Sequence, residues 1–80
     1  NFVRIEGHTD NLPIRTERYP SNWELSTARA SAVVRYLIEV ARFNPARISA
    51  AGYADSRPLY PNDTEAHRAM NRRVQFTVAK

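Results

Sequence analysis

The sequence predicts a two-layer α+β sandwich, a mixed sheet with one long and one short helix on one face. Three observations carry that expectation. A strand-like alternation opens the chain at Phe2-Val3-Arg4-Ile5-Glu6, a long amphipathic segment runs from Ser21 to Arg42, and a second alternation, Val74-Gln75-Phe76-Thr77-Val78, comes near its end. Eighty residues allow one domain with a single core.

Each element has a local cause. Phe2 to His8 reads as a strand with Val3 and Ile5 on one face and Arg4 and Glu6 on the other, which puts Glu6 in solvent. Gly7 closes it, and His8-Thr9-Asp10-Asn11 turns the chain outward. Leu12 to Pro20 is irregular, broken by Pro13 and Pro20. Ser21-Asn22-Trp23-Glu24 is a capping box that starts a helix, and Asn44-Pro45 stops it at about Arg42. Arg47 to Tyr53 reads as a strand whose small residues suit close cover by a helix. Strand, helix, strand makes a right-handed βαβ unit with parallel strands. A loop with Pro58 and Pro61 leads to a short helix from Thr64 to Asn71, capped by Asp63 or Thr64. The last strand turns its apolar residues toward the helices, with Gln75 and Thr77 facing solvent.

One residue breaks the pattern of the long helix. At about 100° per residue, Ser26, Ala30, Val33, Tyr36, Leu37 and Val40 share one stripe, and Arg29 projects into it with Asn22 on the same side. A guanidinium stays charged and is costly to bury unpaired, so an anionic partner is expected, from this chain or from a ligand. The loop after the first strand lies where open α/β sheets place ligands, beside the first turns of the crossover helix. Asp10 and Arg29 are therefore expected as neighbours. Together with the helix-end amides they suit a zwitterion, the guanidinium holding a carboxylate and Asp10 an ammonium.

Composition narrows the classes. The chain has no cysteine, hence no disulfide and no zinc–thiolate site. Its charge of +4 rests on arginine, with Lys80 the single lysine. Arginine favours bidentate recognition of carboxylate or phosphate. The arginines are scattered and no recognition-helix or aromatic pattern accompanies them, so nucleic acid is not the expected partner. His8 and His67 lie far apart, and no cluster has metal-ligand spacing. No metal and no cofactor are expected.

Thr9-Asp10, Leu25-Ser26, Arg29-Ala30, Val33, Leu37 and Asn71-Arg72-Arg73-Val74 together resemble the OmpA-like peptidoglycan-binding domain, over nearly the whole chain. Within that family, His8 to Ile14, Tyr19 to Ser26 and Pro61 to Thr64 are similar to the flagellar motor stator members. The resemblance implies non-covalent binding of the peptidoglycan stem peptide at diaminopimelate, with Asp10 and Arg29 as ligand residues. It adds Asn22 on the same helix face, and Thr9 and Asn11 through the turn. It implies a periplasmic domain whose parent sits in the inner membrane, as a homodimer with a stator partner subunit. Family members begin with a further strand and helix that residues 1–80 are expected to lack.

Plainer roles stand beside these. Arg29 and Asp10 could form a purely structural pair. Arg72 and Arg73 are expected to bond the last helical carbonyls or a carboxylate such as Asp55 or Asp63. Trp23 reads as a staple onto Tyr19-Pro20, with stacking on glycan the lesser alternative. Nothing supports an enzyme: there is no nucleophile elbow, and Glu6 with Asp10 makes a poor hydrolytic pair if Glu6 is solvated.

Overall fold

The computed structural model describes residues 1–79. In chain order it holds β1 (Phe2–His8), α1 (Asn22–Glu39), a 3₁₀ turn at Pro45–Arg47, β2 (Ile48–Gly52), α2 (Glu65–Asn71) and β3 (Arg73–Ala79). The sheet is mixed, in the order β2-β1-β3. β1 runs parallel to β2, with Ile5 beside Ala50, and antiparallel to β3, with Ile5 beside Phe76.

Local chemistry sets the boundaries. Ser21 caps α1 by accepting from the Trp23 amide at 3.1 Å, and its hydroxyl bonds Glu24. α1 ends at Glu39, three residues before the expected Arg42. Arg42 adopts a left-handed φ of 60°, the conformation that usually marks a helix end at glycine. That turn sends the Phe43 amide back onto the Leu37 carbonyl at 2.9 Å. Asn44 then caps the 3₁₀ turn through the Ala46 amide, and Thr64 caps α2 through the His67 amide.

α1 meets the sheet most closely at two glycines. Gly7 and Gly52 are paired neighbours on β1 and β2. A Cβ on Gly7 would run into the Ser26 carbonyl, and one on Gly52 would stand 2.8 Å from the Ser26 hydroxyl and 2.6 Å from the Thr27 amide. Ser26, fully buried, sits over both. The core continues through Ile5, Leu25 and Ala30.

Two expectations need correction. Val74, Phe76 and Val78 share a sheet face with Ile5, yet they are exposed, because α1 packs chiefly over β1 and β2 and leaves β3 largely uncovered. On the opposite face Glu6 is not solvated; it is 4% exposed. Arg4 donates to it from Nε at 2.8 Å and Thr77 from its hydroxyl at 3.1 Å. His8, beside it, is buried under Tyr53, with ring centroids 5.3 Å apart, and Arg57 lies over the Tyr53 ring.

Candidate functional site

The carboxyl end of β1 delivers His8, Thr9 and Asp10 as a continuous buried run. Three neighbours hold it there. The Thr9 amide donates to the Ala54 carbonyl at 2.8 Å, and the Ala54 amide donates to the Ser26 hydroxyl at 3.0 Å. Ala54 takes a left-handed φ of 52° to make both bonds. The Thr9 hydroxyl donates to the Asp10 carbonyl at 2.8 Å. Asn22, in the first turn of α1, donates its amide to the Leu12 carbonyl at 3.1 Å and to the Asp10 carbonyl at 3.5 Å. Thr9, Asp10 and Asn22 thus form one assembly.

Asp10 has a partner, and it is not Arg29. One carboxylate oxygen accepts from the Leu12 amide at 3.0 Å, a turn-forming bond typical of Asp. The other accepts from Arg72 Nη1 at 2.6 Å, while Arg72 Nη2 reaches Glu65 at 2.8 Å. The Arg72 guanidinium, by hydrogen bond and charge, holds the Glu65 carboxyl below its ordinary range. The carboxylates that Arg72 meets are thus Asp10 and Glu65 rather than Asp55 or Asp63, the examples the sequence offered. The antiparallel register places Arg73 opposite His8, so the residue before Arg73 falls beside the loop that follows His8. Arg73 bonds the Asn71 carbonyl, as expected of a basic residue after a helix, and also Gln75 and the Arg57 carbonyl.

Arg29 is exposed rather than buried, and among the described residues no carboxylate pairs with it. The stripe explains why. Its sheet-facing centre is Ser26, Ala30, Val33 and Leu37; Arg29 lies about 60° off Ser26, with Tyr36 and Val40 on the same shoulder. Those two are also exposed, at 60% and 61%. Asn22 precedes Arg29 by seven residues on this shoulder, so Arg29 stands about 10 Å further along the helix.

Beside the loop opens a recess of about 570 Å³, lined by Asn11, Asn22, Trp23, Asp55 and the prolines Pro13 and Pro20 among others. Trp23 is 51% exposed at its wall. Asn11 is exposed there, and Asp55 is its single acidic lining residue. Asn71, the first residue of the Asn-Arg-Arg-Val run, carries a role that the spacing did not suggest. Fully buried, it accepts from the Leu59 and Tyr60 amides and donates to the Tyr60 carbonyl and Asn62. Asn71 shapes the loop before α2 while Arg72 grips the loop after β1.

Both carboxylates of the pair considered for hydrolysis are held by neighbours, that of Glu6 by Arg4 and Thr77 and that of Asp10 by the Leu12 amide and Arg72.

Known proteins share this architecture. The chain is 48% identical over its whole length to the uncharacterized protein YtxE of Bacillus subtilis. It is 40% identical over 95% of its length to Motility protein B of the same species. It spans 33% and 29% of those two proteins, about a third or less of each. The solved cell wall anchor of the T6SS from Pseudomonas aeruginosa matches it with a TM-score of 0.87 and 44% identity, over 94% of this chain and 52% of that one. The OmpA family model covers residues 1–72. On that match, and with a mixed three-stranded sheet carrying its helices as its solved relative does, the chain belongs to the OmpA family.

Proposed function

We propose that this domain binds the peptidoglycan stem peptide non-covalently, at a diaminopimelate residue, and so anchors its parent to the cell wall. The observation that carries the reading is Arg29, an exposed guanidinium without a carboxylate partner among the described residues, on the helix shoulder that also presents Asn22 to the Asp10 loop. A zwitterion fits this spacing better than a direct Asp10–Arg29 pair does. Arg29 takes the ligand carboxylate. Asp10 takes the ammonium: a carboxylate offers about four acceptor positions, and Leu12 and Arg72 use two of them. Asn22 spends its amide hydrogens on the loop and keeps its oxygen for a ligand N–H. Thr9 fixes the turn, and Asn11 reaches the ligand from the open recess.

The parent we propose is a MotB-type stator subunit in the inner membrane, a homodimer working with a stator partner subunit, with this domain in the periplasm. The similarity to Motility protein B supports that owner, and the likeness to a secretion-system anchor makes another envelope protein its rival. No catalytic step belongs to this reading. A sacculus pull-down competed with free meso-diaminopimelate tests it. Binding should be competed away, should be lost in Arg29→Ala, and should persist in Arg47→Ala, which removes an equal charge elsewhere. Equal loss in both variants would reduce the interaction to charge attraction. A second reading has Asp10 as a structural keystone alone, favoured by its 6% exposure and its bond to Arg72; binding that survives Asp10→Ala would select it.

A further inference from the structure

Arg29 does not stand alone on its side of α1. It lines a second recess, of about 400 Å³, together with Arg18, Tyr19, Ser31, Ala32 and Arg35. The small side chains on α1 make a low floor between the arginines. Arg29 and Arg35 rise from the helix, and Arg18 comes from the segment before it, its guanidinium 5.2 Å from the centre of the Tyr19 ring. That stacking restrains a side chain which would otherwise sample many rotamers. No acidic residue lines the recess, and among the described residues none of the three arginines has an ion-pair partner. Being unpaired is not what sets these three apart, since Arg4, Arg68 and Arg72 have ion pairs while Arg15, Arg42, Arg47, Arg57 and Arg73 do not; their convergence on one recess is. Three arginines from two segments line one concavity that holds no acidic residue, a lining that favours an anion.

We propose that Arg18 and Arg35 extend the Arg29 site into a subsite for a second carboxylate of the same ligand. The inference rests on the stem-peptide reading above and goes beyond it by naming two further binding residues and a ligand requirement: at least two free carboxylates, one on Arg29 and one between Arg18 and Arg35. Tyr19 positions Arg18 and is not itself a ligand contact.

The test is calorimetric titration of the whole 80-residue chain with the tripeptide stem fragment carrying free carboxylates, and with the same fragment amidated at one of them. Arg18→Gln and Arg35→Gln should each weaken the free-acid fragment about 3- to 10-fold and flatten its salt dependence, leaving the amidated fragment within 2-fold of wild type. Arg47→Gln should change neither. If Arg18→Gln and Arg35→Gln bind the free acid like wild type while Arg29→Ala fails, the subsite is wrong and the stem-peptide reading stands. Equal weakening of both fragments also overturns the subsite. Inorganic phosphate binding with the same dependence on Arg18 and Arg35 would mark a general anion site and overturn the carboxylate assignment. No binding of either fragment to wild type would overturn both readings together.

Discussion

Asp10 gives one oxygen to the Leu12 amide and the other to Arg72, whereas Arg29 has no ion-pair partner among the described residues. The two residues should therefore part company when each is truncated. Arg29→Ala alters an exposed side chain, so its unfolding free energy should stay within about 0.5 kcal/mol of wild type while sacculus binding is lost. Asp10→Ala strips the Leu12 amide of its acceptor and Arg72 of its buried carboxylate. It should cost about 1–3 kcal/mol as well as abolish binding. Urea unfolding beside the pull-down decides it; an Arg29→Ala protein as unstable as Asp10→Ala would mean that Arg29 holds the fold. The sequence made both residues legible as chemistry, and of the two partners it allowed Arg29, a carboxylate of this chain or one of a ligand, the direct pair with Asp10 is not formed. Helical periodicity locates a residue to within a shoulder of the helix, and 60° separates a buried guanidinium from an exposed one. The true partner of Asp10 lies 62 positions away, and only the order of strands brings it near.

Between elements, the Gly7–Gly52–Ser26 contact sets how closely α1 lies on the sheet. Gly7→Ala would drive a methyl group into the backbone carbonyl of Ser26, and backbone yields less than a side chain. Overpacking in cores costs about 1–3 kcal/mol, and this site belongs at or above the upper end, read as a lowered urea midpoint or as failure to fold. Asn71→Ala should cost about 2–3 kcal/mol, since two amides and a carbonyl of the loop before α2 lose their partner at once. Its binding defect should be milder than that of Asp10→Ala, because Arg72 keeps its carboxylate. Strands, helices and caps were readable because period and capping chemistry are local. Three features were not. The end of α1 depends on Arg42 accepting a left-handed turn that the sequence does not mark with glycine. Alternation told which face Phe76 and Val78 occupy and not that α1, packed chiefly over β1 and β2, leaves them exposed. For Glu6 the same alternation gave the face, while its burial follows from Arg4 and Thr77 closing over it.

Across the whole molecule, the sheet face away from α1 carries the one deeply buried titratable pair among the described residues, Glu6 and His8, directly behind the Thr9-Asp10 loop. Burial, and then the charge of Arg73, pull the His8 imidazole below its ordinary value of 6.5, with Glu6 opposing and Arg57 adding a smaller push in the same direction as Arg73. For Glu6, burial pushes the carboxyl up, but the bonds from Arg4 and Thr77 and the neighbouring His8 together outweigh it and hold it low. Both shifts have the same consequence. The unfolded chain binds each proton more readily than the folded one, so stability is lost as pH falls. The His8 contribution is complete above about pH 6.5 and declines below it, by at most about 1.4 kcal/mol per pH unit, until the folded value is passed. The Glu6 contribution declines only below about pH 4.5. His8→Phe separates them. A Phe ring is shaped to keep the stack on Tyr53, and the polar contact it gives up is the long one of 3.5 Å between His8 Nε2 and the Glu6 carboxylate. Urea unfolding between pH 7 and pH 5 should show wild type weakening while His8→Phe holds flatter. Parallel curves would mean that His8 is not the group responsible. His8 is continuous with Thr9 and Asp10, whose amide and carboxylate are tied to Ala54 and Arg72, so protonation of His8 is expected to act on the loop proposed to hold the ligand. Wall binding should accordingly weaken in wild type over the same pH interval and hold in His8→Phe.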